Sequence, residues 1–219
     1  MNYTELVAAS QAYADRQDTE VAASIDTFIL LMEARVNRVL KTRQQSHRIQ
    51  AKIVEDRAYY PLPADYAGTR QIEILTYDPA DQTGDAICSI MGTCQPCYLT
   101  PEQITIAQCE GKSNQYFTIE HNQIHIYPVP TPTAEVAYAI ELLYYRKLPN
   151  LNSEDTTNWA SVDHPDIYLS GMCAEIELFA KNYKAADGWH ERMSKAIDEL
   201  DNSDEIERWS GSQLVIRNG

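Results

Sequence analysis

The sequence lacks a long hydrophobic run, a glycine-rich loop and a basic tract. No stretch approaches the roughly 18 consecutive apolar residues of a membrane-spanning helix. The first residues, Met1-Asn2-Tyr3-Thr4-Glu5, lack the basic and then apolar profile of a signal peptide. We therefore expect a protein that is cytosolic when made. The eight glycines are dispersed, which excludes a glycine-rich phosphate loop.

Basic residues are few: 18 Lys and Arg stand against 32 Asp and Glu, a formal net charge of −14. Tight binding of nucleic acid requires clustered cations that displace counterions from phosphates. One short cluster exists, and a solvated helix end explains it because cations complement the dipole at a helix C-terminus. Its members are Arg35, Arg38, Lys41 and Arg43. Specific binding of DNA or RNA is therefore not expected.

Five cysteines, an odd number without a secretion signal, indicate reduced thiols rather than disulfides. Only Cys94 and Cys97 have the two-residue separation that zinc sites use, whereas Cys88 and Cys109 are solitary. We favour small, buried or partly buried side chains for these four. A structural zinc ion and a redox dithiol are the alternatives. No metal or cofactor is expected.

Residues that could perform catalysis are spread along the chain. Only His121 and His125 are near each other among the five histidines, and their position beside a hairpin turn favours solvated strand ends over a metal pair. The Asp and Glu residues are too evenly distributed to identify an acid–base pair. We therefore do not expect an enzyme.

Helical periodicity marks two long stretches, near residues 18–43 and 163–202, and a short helix over 3–14 precedes the first. In the first stretch, with Asp18 as N-cap, apolar residues recur at steps of three and four: Val21, Ile25, Phe28, Met32, Val36 and Val39. Ile29, Leu30 and Leu31 widen this stripe, which favours packing on a neighbouring subunit as well as on the core.

The second helical stretch has Pro165 in its first turn, with Ser161 or Asp163 as the cap. Its predicted buried stripe is Ile167, Met172, Ile176, Phe179 and Tyr183. Gly188 interrupts the pattern, and a new apolar series starts at Trp189. This predicts a helical hairpin or a kinked pair.

Between these stretches the apolar residues alternate, which predicts half-buried strands. The alternating segments lie at 49–53, 72–74 and 104–106, followed by a hairpin over 117–126 and a strand over 136–144. Residues 78–101 show no sustained period and predict a loop with at most one weak strand. The result is an α+β fold: a helical body (1–47 and 152–203), an inserted antiparallel β lobe (48–151) and an extended C-terminal tail (204–219).

The chain holds fourteen tyrosines, a side chain with a large contact area and one polar end. The adjacent pairs at 59–60 and 144–145 place one ring inward and one outward on a strand. Packing at the edge of the core and a subunit interface both remain open. Our candidates for a subunit interface are Ile29, Leu30, Tyr59 and Tyr145.

The C-terminal segment carries an apolar triplet after a short flexible stretch. Three consecutive β-forming residues at a free end are an aggregation hazard unless a partner covers them. Disorder and strand addition to another chain are both open, and we favour partner binding. The residues concerned are Trp209, Leu214, Val215 and Ile216.

Four features together resemble the head-to-tail adaptor proteins of tailed phages, including the tail tubular A proteins of short-tailed phages. They are the opening at 2–7, the long second helix, the element Tyr60-Pro61-Leu62-Pro63-Ala64-Asp65-Tyr66, and a strand ending Tyr144-Tyr145-Arg146-Lys147-Leu148-Pro149 before a polar linker. The resemblance implies a ring, usually of twelve copies, between the portal and the nozzle or tail, with DNA passing through its centre. The cysteine-bearing loop at 88–97 has no counterpart that we can align.

We therefore expect a structural virion protein at the neck, present in the host cytoplasm during assembly. Its tail segment would bind the portal protein, its β lobe would meet the next tail component, and its acidic surface would let DNA slide without specific binding. Two rivals are a receptor- or carbohydrate-binding tail module and a small zinc-dependent enzyme or regulator.

Overall fold

The computed structural model describes residues 1–80, 82–83, 86–87, 89–111 and 114–209 and shows a mixed α+β protein, which confirms the predicted fold class. The helices in these residues are α1 (Tyr3–Tyr13), α2 (Thr19–Val39), α3 (Pro101–Cys109), α4 (Trp159–Asp163), α5 (Pro165–Phe179) and α6 (Tyr183–Trp209). The chain divides into two compact units, Met1–Gln45 with Lys147–Gly219, and Ser46–Arg146.

The first unit, the helical unit, is built on α2, α5 and α6. A capping box starts α1, because the Asn2 side chain accepts from the Glu5 main chain and the Glu5 side chain accepts in return. Five of the six residues of the predicted α2 stripe are buried. The sixth, Val39, is exposed at the end of the helix, so that part of the prediction was wrong. The core of this unit includes Leu6, Ile25, Phe28, Met32, Val36, Ile167, Tyr168, Met172, Ile176 and Met193.

The second helical stretch breaks earlier than predicted. Gly188 lies inside α6, and the turn falls at Lys181, whose φ is 60°. Asn182 fixes the turn, since its main-chain N–H donates to the carbonyl of Glu177 and its side-chain amide donates to the Glu177 carboxylate. Phe179 and Tyr183, predicted to be buried, are exposed because they flank this turn.

The cap was also misplaced: Ser161 and Asp163 belong to the short helix α4. That helix starts at Asn158, whose side chain accepts from the Ser161 main chain. Pro165 then opens α5, where its missing N–H costs nothing.

The second unit, the strand unit, holds the strands. They are β1 (Ser46–Lys52), β2 (Tyr59–Pro61), β3 (Tyr66–Tyr77), β4 (Gln82–Thr83), β5 (Ala86–Ile87), β6 (Ile90–Cys94), β7 (Cys97–Tyr98), β8 (Tyr116–Glu120), β9 (Gln123–Tyr127) and β10 (Ala137–Arg146). One sheet has the order β1-β10-β3-β6, a second has β2-β9-β8-β7, and β4 and β5 form a small pair. The prediction of an antiparallel lobe was wrong for one pair, because β7 and β8 run parallel. The main core of this unit combines residues of the two larger sheets, among them Ile72, Ile74, Ile124, Ile126, Ile140 and Leu142.

Two further predictions in the strand unit were wrong. Residues 101–109 form helix α3 rather than a strand, because Thr100 and Gln103 make a capping box and Pro101 occupies the first turn. The segment 78–101 carries four short strands, β4 to β7, rather than a loop with one strand. These strands have only two to five residues, which is too short for an alternating apolar pattern to be recognised in the sequence.

Candidate assembly surfaces

One exposed side of helix α2 carries no charged residue between Ala23 and Ala34. Ala23, Thr27, Leu30, Leu31 and Ala34 are all exposed, and their spacing places them on one side of the helix, opposite its buried stripe. We call these five residues the outer face of α2. Leu30 and Leu31 are 57% and 49% exposed. Small side chains beside two leucines allow close approach of another helix.

The four candidates for a subunit interface have different surroundings. Leu30 and Tyr59 are exposed, whereas Ile29 and Tyr145 are only 2% and 9% exposed. Ile29 belongs to the core of the helical unit, so its side chain is already covered by its own chain. A subunit contact through any of the four stays a prediction.

The predicted portal-binding segment begins at the end of α6, which extends to Trp209. Residues 204–209, predicted to be tail, are therefore helical. Asp204 is buried, and its carboxylate accepts from the Arg43 main-chain N–H at 3.2 Å and from Arg43 Nε at 2.7 Å. The triplet Leu214, Val215 and Ile216 lies outside the described residues, as does Cys88.

The tyrosine- and proline-containing element at 144–151 is fixed by main-chain hydrogen bonds. The Leu148 N–H donates to Asn37 Oδ1 at 2.8 Å, and the Leu151 N–H donates to Glu33 Oε1 at 2.9 Å. Asn37 and Glu33 are one turn apart on α2, so the helix carries two acceptors on one side for this segment.

Glu33 is the centre of a buried polar network. Besides the Leu151 bond, Glu33 Oε1 accepts from the Tyr168 hydroxyl at 2.9 Å, and Asn158 Nδ2 donates to Tyr168 Oη at 2.6 Å and to the Pro149 carbonyl at 2.8 Å. Burial raises the pKa of Glu33 from its ordinary 4.5 to about 7, although the Leu151 and Tyr168 hydrogen bonds favour the carboxylate. Burial and the adjacent Glu33 raise the pKa of Tyr168, so its hydroxyl remains a donor.

The other tyrosine-rich element, at 60–66, is joined to Tyr144 within the strand unit. The Tyr144 hydroxyl donates to Asp65 Oδ1 at 2.9 Å, and the rings of Tyr66 and Tyr144 stack with centroids 6.1 Å apart. Burial and the hydrogen bond to Asp65 raise the pKa of Tyr144 to about 12. Both signature elements therefore contribute polar groups to hydrogen bonds within the fold.

The cysteines give no sign of a shared site in the described residues. Cys94, Cys97 and Cys109 are exposed, which corrects the prediction of buried or partly buried side chains, and Cys173 is buried. Cys94 and Cys97 belong to strands of different sheets. Within the described part of the chain no three His, Cys, Asp or Glu side chains are grouped to hold a metal ion. No helix there is long and apolar enough to cross a membrane.

A shallow cleft lies between α3 and the sheet that contains β2, β9 and β8. Its volume is about 340 Å³, and it is lined by Tyr59, Pro101, Glu102, Ile104, Thr105, Gln108, Glu120 and His125. We call it the α3 cleft. Tyr59 and His125 are direct cross-strand partners whose rings stack at 4.3 Å, and His125 Nδ1 lies 3.6 Å from Glu120 Oε1. His125 is 6% exposed, so it is not the solvated strand end that we predicted.

Sequence reasoning missed the α3 cleft because it treated residues 104–106 as a strand. The signal was present in the capping sequence Thr100-Pro101-Glu102-Gln103, which identifies a helix start and would have placed Glu102, Thr105 and Gln108 on one element.

The described residues form an exposed apolar helix face, which is typical of a protein that assembles with others, and buried polar networks that hold the fold together. The chain belongs to the SU10 adaptor protein family, whose model matches residues 1–217. This confirms the predicted phage head-to-tail adaptor family and makes the protein a virion component; the closer resemblance to tail tubular A proteins stays a prediction. No curated protein matches the chain.

Proposed function

We propose that this protein is the head-to-tail adaptor that forms a ring between the portal and the tail and lines the DNA exit channel. Family membership carries the proposal. In the proposed arrangement, copies of the helical unit form the ring wall, usually twelve in number, as the family resemblance implies. The function is structural, and no reaction is assigned to the chain.

The outer face of α2 supports the ring. A cyclic ring uses two different surfaces of each subunit, and at least one must be exposed and weakly hydrated. Leu30 and Leu31 with their small neighbours meet that condition, because these side chains themselves carry no charge that must be desolvated when another subunit covers them.

The net charge of −14 supports a channel through which DNA slides. Like charges on the channel wall and on the phosphates disfavour sticking, and no counterion is released by contact. Specific DNA binding is therefore not part of the function.

The segment from Trp209 to Ile216 is proposed to bind the portal protein, and the strand unit is proposed to meet the nozzle or another tail protein. Removal of residues 204–219 would be a poor test, because Asp204 is buried and bonded to Arg43. Deletion of residues 210–219 leaves that pair intact. We expect the truncated protein to fold but to lose co-purification with the portal protein; unchanged co-purification would contradict this assignment.

The ring itself is tested by cryo-electron microscopy of particles that carry Leu30→Arg with Leu31→Arg. Both positions are exposed and arginine is a good helix former, so the subunit should fold while ring closure and tail attachment are lost. Val162→Arg, at an exposed apolar position in the same unit, is the matched control and should leave particles normal. A normal neck in the double variant, or a location away from the neck, would contradict the proposal.

The alternative is a receptor- or carbohydrate-binding tail module that uses exposed aromatic side chains of the strand unit. Tyr59 and Tyr98 are exposed there, but all three tryptophans lie outside residues 46–146. Glycan binding by the isolated protein would favour this alternative.

A further inference from the structure

We propose that the α3 cleft is a docking site for an arginine side chain of a neighbouring virion protein. The identity of the neighbour depends on the adaptor role proposed above, whereas the preference for a guanidinium group depends only on the cleft.

The charge of the cleft defines the charge of its ligand. Glu102 of α3 and Glu120 of β8 line it, and its eight lining residues include no Lys or Arg. Hydrogen bonds from its own main chain and from Thr100 hold the pKa of Glu102 below its ordinary value, so this carboxylate is ionised. A cation entering the cleft meets two carboxylates carried by two different elements.

Arg57, two residues before Tyr59 in the sequence, is not among the residues that line the cleft. Arg57 Nε donates to the Tyr59 carbonyl at 3.1 Å, and its guanidinium lies 5.0 Å from the centroid of the Tyr60 ring. Tyr60 points to the opposite face of β2 from Tyr59, because side chains alternate along a strand. The chain therefore does not fill its own cleft with this side chain.

The wall formed by Tyr59 and His125 supports a polar ligand independently of the two carboxylates. His125 is more than nine-tenths buried, and its Nδ1 has no hydrogen-bond partner among the described residues. A buried polar atom without a hydrogen bond is uncommon, and a ligand that binds it is one explanation. Here it lies beside the Glu120 carboxylate, at the wall where a polar ligand would enter.

Arginine suits this combination better than lysine. Its planar guanidinium stacks on an aromatic ring such as Tyr59 and offers several donors in one plane. Those donors can bind a carboxylate in pairs and reach the side-chain amide of Gln108 in the same cleft. A lysine ammonium is more strongly hydrated and would use fewer of these groups.

The test is an NMR titration of the full chain with N-acetyl-arginine amide, following the His125 and Tyr59 ring signals. N-acetyl-citrulline amide, which has the same shape without the charge, is the control ligand, and N-acetylglucosamine tests a saccharide. We expect saturable shifts with the arginine compound and a dissociation constant at least about tenfold weaker for citrulline. Equal binding of citrulline, no binding of arginine, or preferential binding of the sugar would overturn the proposal.

Variants connect the shifts to the cleft. Glu102→Gln with Glu120→Gln should weaken arginine binding at least about tenfold. Glu55→Gln with Glu135→Gln removes the same charge from exposed positions that do not line the cleft and should have no effect. Equal effects of the two double variants would show that the binding depends only on net charge, and this would refute the site.

Particle assembly separates this proposal from the adaptor role. With Glu102→Lys and Glu120→Lys, both at exposed or half-exposed positions, we expect the chain to fold and complete particles to be lost. Normal particles would refute docking at the cleft while leaving the adaptor role intact. Absence of the unaltered protein from particles would refute the adaptor role, and the titration would still decide the chemistry of the cleft.

Discussion

Replacement of Glu33 by glutamine should remove a pH dependence from the stability of the helical unit. The carboxyl is 2% exposed, and its pKa rises from 4.5 in an ordinary setting to about 7 in the fold. A raised pKa means that the folded state holds the proton more tightly. The stabilising effect is therefore complete below pH 4.5 and is lost as the pH rises through 7.

The magnitude follows from that pKa change. At about 1.4 kcal/mol for each pKa unit, the rise corresponds to about 3 kcal/mol between the protonated and ionised limits. About 2 kcal/mol of this falls between pH 5.5 and pH 8. That range avoids the sequence pI of about 4.7, where the chain has no net charge and precipitation is expected.

Urea unfolding at pH 5.5 and pH 8, followed by tryptophan fluorescence, measures the effect in the correct unit, since all three tryptophans lie outside residues 46–146. Glutamine keeps an oxygen that accepts from Leu151 and Tyr168. From pH 5.5 to pH 8, the free energy of unfolding of the unaltered protein should fall by about 2 kcal/mol more than that of the variant. Glu33→Ala is the control, because it leaves two buried donors unpaired and should destabilise at both pH values.

A difference between the glutamine variant and the unaltered protein that does not change with pH would refute the reasoning. It would mean that the buried carboxylate is as well solvated by its two donors as it is by water.

Two further predictions concern packing and reactivity. Gly171→Ala places a methyl group against the Met32 side chain and should lower the free energy of unfolding by about 1–3 kcal/mol. In Gly188→Ala the new methyl group meets nothing within 4 Å, and the variant should raise the free energy of unfolding by about 0.5–1 kcal/mol. Equal changes of the two variants in urea unfolding would contradict this. Burial raises the pKa of Cys173 to about 12, so iodoacetamide at pH 8 should modify Cys94, Cys97 and Cys109 and spare Cys173. Mass spectrometry of the folded, alkylated protein would show whether it does.

Helix α2 and strand β10 could be predicted because their apolar period is local. The stripe on α2 and the strand at 137–146 follow from spacing alone. The break at Lys181 could not, because a non-glycine residue takes a positive φ there through bonds between Asn182 and Glu177. Gly188, the more obvious breaker, sits in helix α6 where the rest of the turn favours helix.

The buried polar groups were beyond sequence reasoning for a different reason. Glu33 receives its hydrogen bonds from Leu151 and Tyr168, more than a hundred residues later in the chain. From the sequence, a carboxylate on the apolar side of a helix is ordinarily placed at the edge of the apolar stripe, where it reaches water. The partners that make burial possible become visible only when the fold brings them together.

The position of β10 has a consequence for synthesis on the ribosome. This strand is the last one in the described residues, yet it lies between β1 and β3 in its sheet, and β1 precedes it by about ninety residues. The sheet cannot close until residue 146 has left the exit tunnel, and α2 must likewise wait for α5. A nascent adaptor is thus unable to present finished surfaces to its neighbours, and translation itself sets the earliest moment at which particle assembly can begin.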